Sequence, residues 1–144
     1  MSSAFEGNDG PPTSGSRIIR GVVAAAVAAV AANTAIVLLS LVAGASNEFQ
    51  PLQPSNYISL TVAGVLAGAA GWAAVRRWSR RPATMLRQLV PAVVAVSLVP
   101  DVVLFFTRLQ PNTTGAGVVA LMAMHVATSA IAVPIFARTL PLAG

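Results

Sequence analysis

The sequence has no cysteine and no lysine, one histidine, and four acidic residues among its 144. Without thiols there can be no disulfide, no thiol nucleophile, no cysteine-ligated zinc and no lipidated cysteine. A single histidine cannot supply a bis-histidine haem site or the paired histidines of an H-E-x-x-H metal site. Charged residues make up 9% of the chain, against about 25% in an ordinary soluble domain. No spacing matches a metal ligand set, a nucleophile elbow or a phosphate loop. The chain therefore reads as a non-enzyme with no cofactor.

What is present is apolar. Hydrophobic residues are 56% of the sequence, about 81 residues, and four membrane spans of about 20 need about 80. The apolar runs fall at 21–43, 57–75, 88–107 and 115–137. At about 1.5 Å per residue, each can cross or nearly cross about 30 Å of hydrocarbon. These runs imply an all-α fold, a four-transmembrane-helix up-down bundle over 17–138. A Gly/Ser/Pro-rich segment, 1–16, reads as a disordered tail, and 139–144 as a second short tail. The stretch 45–56, with Asn47, Glu48, Gln50, Pro51, Gln53 and Pro54, reads as a polar loop. A cleaved signal peptide is the alternative for the first run, with Ala43-Gly44-Ala45 as a small-residue site. Against it, the first run exceeds 20 residues, whereas a signal core has about 7–15.

The nine basic residues are all arginine, and their distribution sets a topology. Arg17, Arg20, Arg76, Arg77, Arg80, Arg81, Arg87 and Arg138 fall on one side of the four spans, and Arg108 alone on the other. The positive-inside rule then puts both termini and the central loop in the cytoplasm, in a bacterial plasma membrane. The cluster Arg76, Arg77, Arg80, Arg81 and Arg87, with Trp78 inside it, can also meet anionic lipid headgroups. Its simpler role is to fix orientation. Nucleic acid is not an expected partner, because no soluble domain presents these arginines.

Inside the spans, ionisable and strongly polar groups are few: Asn33, Asp101 and His125. Counted along straight helices, all three fall between the midplane and the outer third of the bilayer. Spans three and four are joined by a short turn and should be antiparallel neighbours, so Asp101 and His125 can meet, with Asn33 close by. Ser97 lies one turn before Asp101 and Ser129 one turn after His125, and Pro100 removes a helical hydrogen bond beside the carboxyl. Asp101 can instead face outward towards the outer headgroups, if span three is tilted or ends early near Phe105, and then these residues do not meet; if they meet, two readings stand. Asn33, Ser97, Asp101, His125 and Ser129 form either an interhelical polar cluster that holds the bundle together, or a proton- or cation-responsive site. The second would make the chain a small proton- or cation-coupled transporter or channel, working as a homo-oligomer because four helices scarcely enclose a path.

Small residues mark candidate packing faces. Gly64, Gly68 and Gly71 recur on the second span, and Ala25, Ala28, Ala29 and Ala32 on the first. Gly64-x-x-x-Gly68 fits close helix packing within the bundle, or alternatively a homodimer or a contact with another membrane protein.

The stretches Ser97-Leu98-Val99-Pro100-Asp101 and Leu121-Met122-Ala123-Met124-His125 resemble a family of small uncharacterised four-helix membrane proteins (a domain of unknown function) from high-GC bacteria. In that family a Ser-Leu-x-Pro-Asp element in helix three precedes a Met-His element in helix four. The resemblance spans roughly Arg17 to Arg138. It implies an integral membrane protein without an assigned activity, and that Asp101 and His125 belong together. Small multidrug transporters have four helices at similar length but carry an acid in helix one, where this chain has the neutral Asn33.

Overall fold

The computed structural model describes residues 14–141. Its helices are α1 (Ser14–Val42), α2 (Pro54–Trp78), α3 (Pro82–Thr107) and α4 (Gly115–Thr139), with one 3₁₀ turn at Gln50–Leu52. All four are long and apolar enough to cross a membrane, and no strand occurs among the described residues. The fold is the expected all-α four-helix arrangement.

The helices overrun the apolar runs. α1 begins at Ser14 rather than Gly21, α2 covers Pro54–Trp78 rather than 57–75, and α3 begins at Pro82 rather than Gln88. An arginine does not stop a helix at a membrane surface, since its apolar stem lies along the helix while the guanidinium reaches water. Pro54 and Pro82 stand at the starts of α2 and α3, where a missing N–H costs nothing. Of the expected disordered tail, 1–13 lies outside the described residues and 14–16 is helical. Of the C-terminal tail, Thr139 is the last residue of α4 and Leu140 is buried, while 142–144 lies outside the described residues.

Local signals set the ends. Gly44 takes φ +94°, so that Ala45 N–H donates to the Ser40 carbonyl at 2.8 Å and Gly44 N–H to that of Leu41 at 3.1 Å. This is a Schellman close to α1. The Thr114 hydroxyl caps α4 by accepting from Gly117 N–H at 3.1 Å.

The helices alternate in direction. At the end where α1 starts, Gly21 abuts Thr139 of α4 and Trp72 Nε1 donates to the Leu140 carbonyl at 3.1 Å. Eight arginines belong to this end and Arg108 to the other. At the opposite end the 45–56 segment is not merely a polar loop: Ala45, Phe49 and Leu52 are buried, Phe49 completely. Phe49 wedges against Gly117, and Glu48 accepts a hydrogen bond from Asn112 of the α3–α4 connection at 3.2 Å.

α1 and α4 make the most extensive helix pair. Gly21, Ala25, Ala29, Asn33 and Val37 of α1 are buried at every fourth position. Small side chains let two backbones approach closely, which is how helices pack when lipid offers no hydrophobic drive between them. The core divides into two apolar clusters. One holds Ala25, Val65, Trp72, Leu86 and Phe136, the other Val37, Phe49, Leu52, Tyr57 and Met124. α3 stands apart from this scheme, with only Leu86 and Asp101 buried along its length. Its outward residues Val96, Val99 and Phe106 are exposed, as befits a lipid-facing surface.

The glycines of α2 do not form the tight seam expected of them. A Cβ at Gly64 or Gly71 would meet nothing within 4 Å, and one at Gly68 would only touch Phe136 at 3.4 Å. The close approach is made by α1 instead, where a Cβ at Gly21 would fall 2.5 Å from Thr139 Cγ2. Gly21→Val should therefore destabilise the bundle by about 1–3 kcal/mol through overpacking, whereas Gly71→Ala, in open space inside a helix, should not destabilise it. Equilibrium unfolding in mixed micelles measures both.

Candidate functional site

Asp101 lies towards the C-terminal end of α3 and His125 in the middle of α4, and they meet. His125 Nδ1 is 3.0 Å from Asp101 Oδ2. The same nitrogen lies 2.9 Å from the Leu121 carbonyl, one turn back on α4. An ionised carboxylate and a carbonyl can only accept, so Nδ1 carries the proton. That single N–H is aligned on Leu121, which leaves Asp101 Oδ2 buried at ion-pair distance without a hydrogen bond. The Asp101 side chain is 9% exposed and the His125 ring 40%. A carboxylate shut away behind a half-open imidazole results.

Pro91 and Pro100 both lie inside α3. Each withholds a backbone N–H from the helix and lowers its stiffness. Ser97 spends its hydroxyl on the Val94 carbonyl at 2.7 Å, a local bond that satisfies it without a partner helix.

Asn33 does not join the Asp101–His125 pair. Its amide forms a separate layer, donating to Thr61 Oγ1 of α2 at 2.8 Å and to Thr128 Oγ1 of α4 at 3.0 Å. Asn33 is 1% exposed, and its Oδ1 has no hydrogen-bond partner. This layer separates the two apolar clusters and ties three helices together. These threonines carry little signal in the sequence beyond Thr128 adjoining Ser129, because hydroxyls are common in apolar helices and usually bond their own backbone, as Thr34 does to Val30. A second pair missed for the same reason is Thr34 with Tyr57, whose oxygens lie 2.9 Å apart.

Two cavities border this polar level. The first, about 340 Å³, is lined by Asn33, Thr61, Ser97, His125, Thr128 and Ser129 among others. The second, about 380 Å³, continues from it between α2 and α3 towards Trp72 and Leu86, with apolar walls. They share Gly64, Val93, Val94, Thr128 and Ser129. Gly64, Gly68 and Gly71 thus floor a groove rather than a helix contact. Of the five expected site residues, Asn33, Ser97, His125 and Ser129 face one cavity, and Asp101 touches it only through His125. The arginines 76, 77, 80, 81 and 87 lie at the closed end of the α2–α3 hairpin, away from the polar level.

A model described as a family of unknown function (DUF6069) matches residues 13–141, all four helices included. The chain belongs to that family. No curated protein and no solved structure matches it. The family relation is consistent with a membrane protein of unknown activity, and the geometry of its side chains has to carry anything more specific.

Because Asp101 and His125 are each other's only charged contact among the described residues, their substitutions should not be additive. Asp101→Asn and His125→Ala are expected to show a coupling energy of about 0.5–3 kcal/mol in a double-mutant cycle of unfolding. A value near zero would mean that the pair does not interact in the bilayer.

Proposed function

We propose that this protein is a non-enzymatic, multi-pass component of a bacterial plasma membrane, with both termini cytoplasmic and with α3 acting as a proton-responsive arm. The observation that carries this reading is the 3.0 Å Asp101–His125 contact on a helix whose only other buried residue is Leu86. Charge in a bilayer interior is costly and is kept where it does something. Here it fastens the outer half of α3 to α4. Protonating the carboxylate removes its charge and loosens that attachment. Glu48 and Arg108, the other charged groups at this end, sit in or beside the connecting segments, and Glu48 is engaged by Asn112.

The orientation rests on the eight-to-one arginine bias. Anionic headgroups at the cytoplasmic face are the natural partners of Arg76, Arg77, Arg80, Arg81 and Arg87, and nucleic acid is not a partner. A loosened α3 would change the lateral surface offered to a second copy or to another membrane protein.

A second reading, proton- or cation-coupled transport by a homo-oligomer, draws on one observation: His125 reaches the cavity while holding a buried carboxylate behind it. The two readings separate in liposomes. As an arm, wild-type protein should show a pH-dependent stability that flattens in Asp101→Asn, with no proton flux in either. Flux in the wild type that is lost in Asp101→Asn would establish transport instead. For orientation, a cysteine introduced by Ser79→Cys should react with an impermeant reagent only after cells are permeabilised.

A further inference from the structure

We infer that the groove between α2 and α3 binds an uncharged, single-chain lipid bearing a hydroxyl head, with the head at the Asn33–Thr128 level and the chain running towards Trp72. This goes beyond the proton-responsive reading and does not depend on it.

The head site follows from Asn33. It is 1% exposed, it lines the upper cavity, and its Oδ1 lacks a partner. In hydrocarbon an unmet polar atom has no water to turn to. Turning the amide over would exchange the unmet acceptor for an unmet donor. A hydroxyl answers either case, since it donates and accepts. Ser129 and His125 offer further polar contacts around the same cavity.

The chain site follows from the glycines. Gly64 and Gly71 have nothing within 4 Å of a Cβ position, and Gly68 has only Phe136 at 3.4 Å. The strip they leave is walled by Leu89, Val90 and Val93 of α3 and by Ala132 of α4. From Leu60 to Trp72, α2 rises about 18 Å, the length of an ordinary fatty acyl chain. Exposed lining residues on both α2 and α3 leave the groove open sideways to the bilayer.

The charge state follows from depth. The polar level lies inside the bundle, beyond reach of the arginine cluster at the end of the hairpin, so a phosphate there would be desolvated and would meet only His125, which Asp101 already engages. A hydroxyl head carries no such penalty. Monoacylglycerols and long-chain alcohols share this chemistry.

Trp72 lines the chain portion of the groove, and Trp78 is the other tryptophan. In full-length Trp78→Phe protein, reconstituted in phosphatidylcholine vesicles, Trp72 emission reports occupancy. The probe is a monoacylglycerol brominated in mid-chain, compared with phosphatidylcholine carrying the same brominated chain at the same mole fraction. The monoacylglycerol should reach half-quenching at about a tenfold lower mole fraction, about 1.4 kcal/mol of preference. Gly64→Leu and Gly71→Leu fill open space and should abolish the difference with helicity unchanged; Asn33→Leu should reduce it. Equal quenching by both lipids would overturn the proposal. So would energy transfer between labelled copies that Gly64→Leu abolishes without any effect on quenching, because the groove would then be a seat for a second copy. If Asn33→Leu does not fold, the two glycine variants decide.

Discussion

Small residues at every fourth position of α1 bring its backbone against α4, and the rest of the bundle is placed by reference to that seam. Gly21 meets Thr139 at one end, and at mid-depth Asn33 reaches Thr128. Because α4 is fixed in this way, His125 is held at a defined height and azimuth, and Asp101 has a fixed partner to find. α2 joins the seam through Thr61 and Trp72. α3 packs on α4 with partly buried side chains such as Val90 and Leu104, and buries only one leucine and one carboxylate. Close packing in lipid depends on shape and on polar contacts rather than on expulsion of water, so the helix lacking a small-residue seam is the one that stands off and leaves a groove.

The arrangement is also an exercise in where polarity can be stored. Ser40, Ser97 and Thr139 return their hydroxyls to carbonyls of their own helix, which costs no partner and fixes no neighbour. Asn33 cannot do this with both ends of its amide, and so it binds two other helices. Asp101 cannot do it at all, since a carboxylate has nothing to donate. The residues that organise the bundle are those whose chemistry cannot be satisfied locally.

This distinction explains what could be read in the sequence. The four spans were legible because hydrocarbon thickness imposes a length and a composition. The Asp101–His125 contact was legible because depth along a helix follows from residue number and the short α3–α4 turn makes those helices neighbours. Asn33 was placed at the right level but assigned to the wrong partners, since depth arithmetic carries no information on rotation about the helix axis. The glycines of α2 illustrate the opposite failure: a periodic small face says that something can approach, not what does. Phe49 and Leu52 were hidden among Asn, Gln and Pro, and they fold back because the end of the bundle beside Gly117 leaves room for a ring. Thr61 had no signal and Thr128 only its place beside Ser129, as their role comes from the amide between them.

The seam has a consequence for how the protein is made. The helices that pack most closely, α1 and α4, are the first and last of these four in the chain, and Asn33 is 95 residues from the threonine that receives it. At about 5–20 residues per second of synthesis, α1 waits about 5–20 s in the membrane with a bare carboxamide. During that interval α2 can cover Asn33 through Thr61, and the insertion machinery or a membrane chaperone can shelter the remainder. A chain cut short before α4 would keep that amide exposed, a mark by which membrane proteases can recognise unfinished copies.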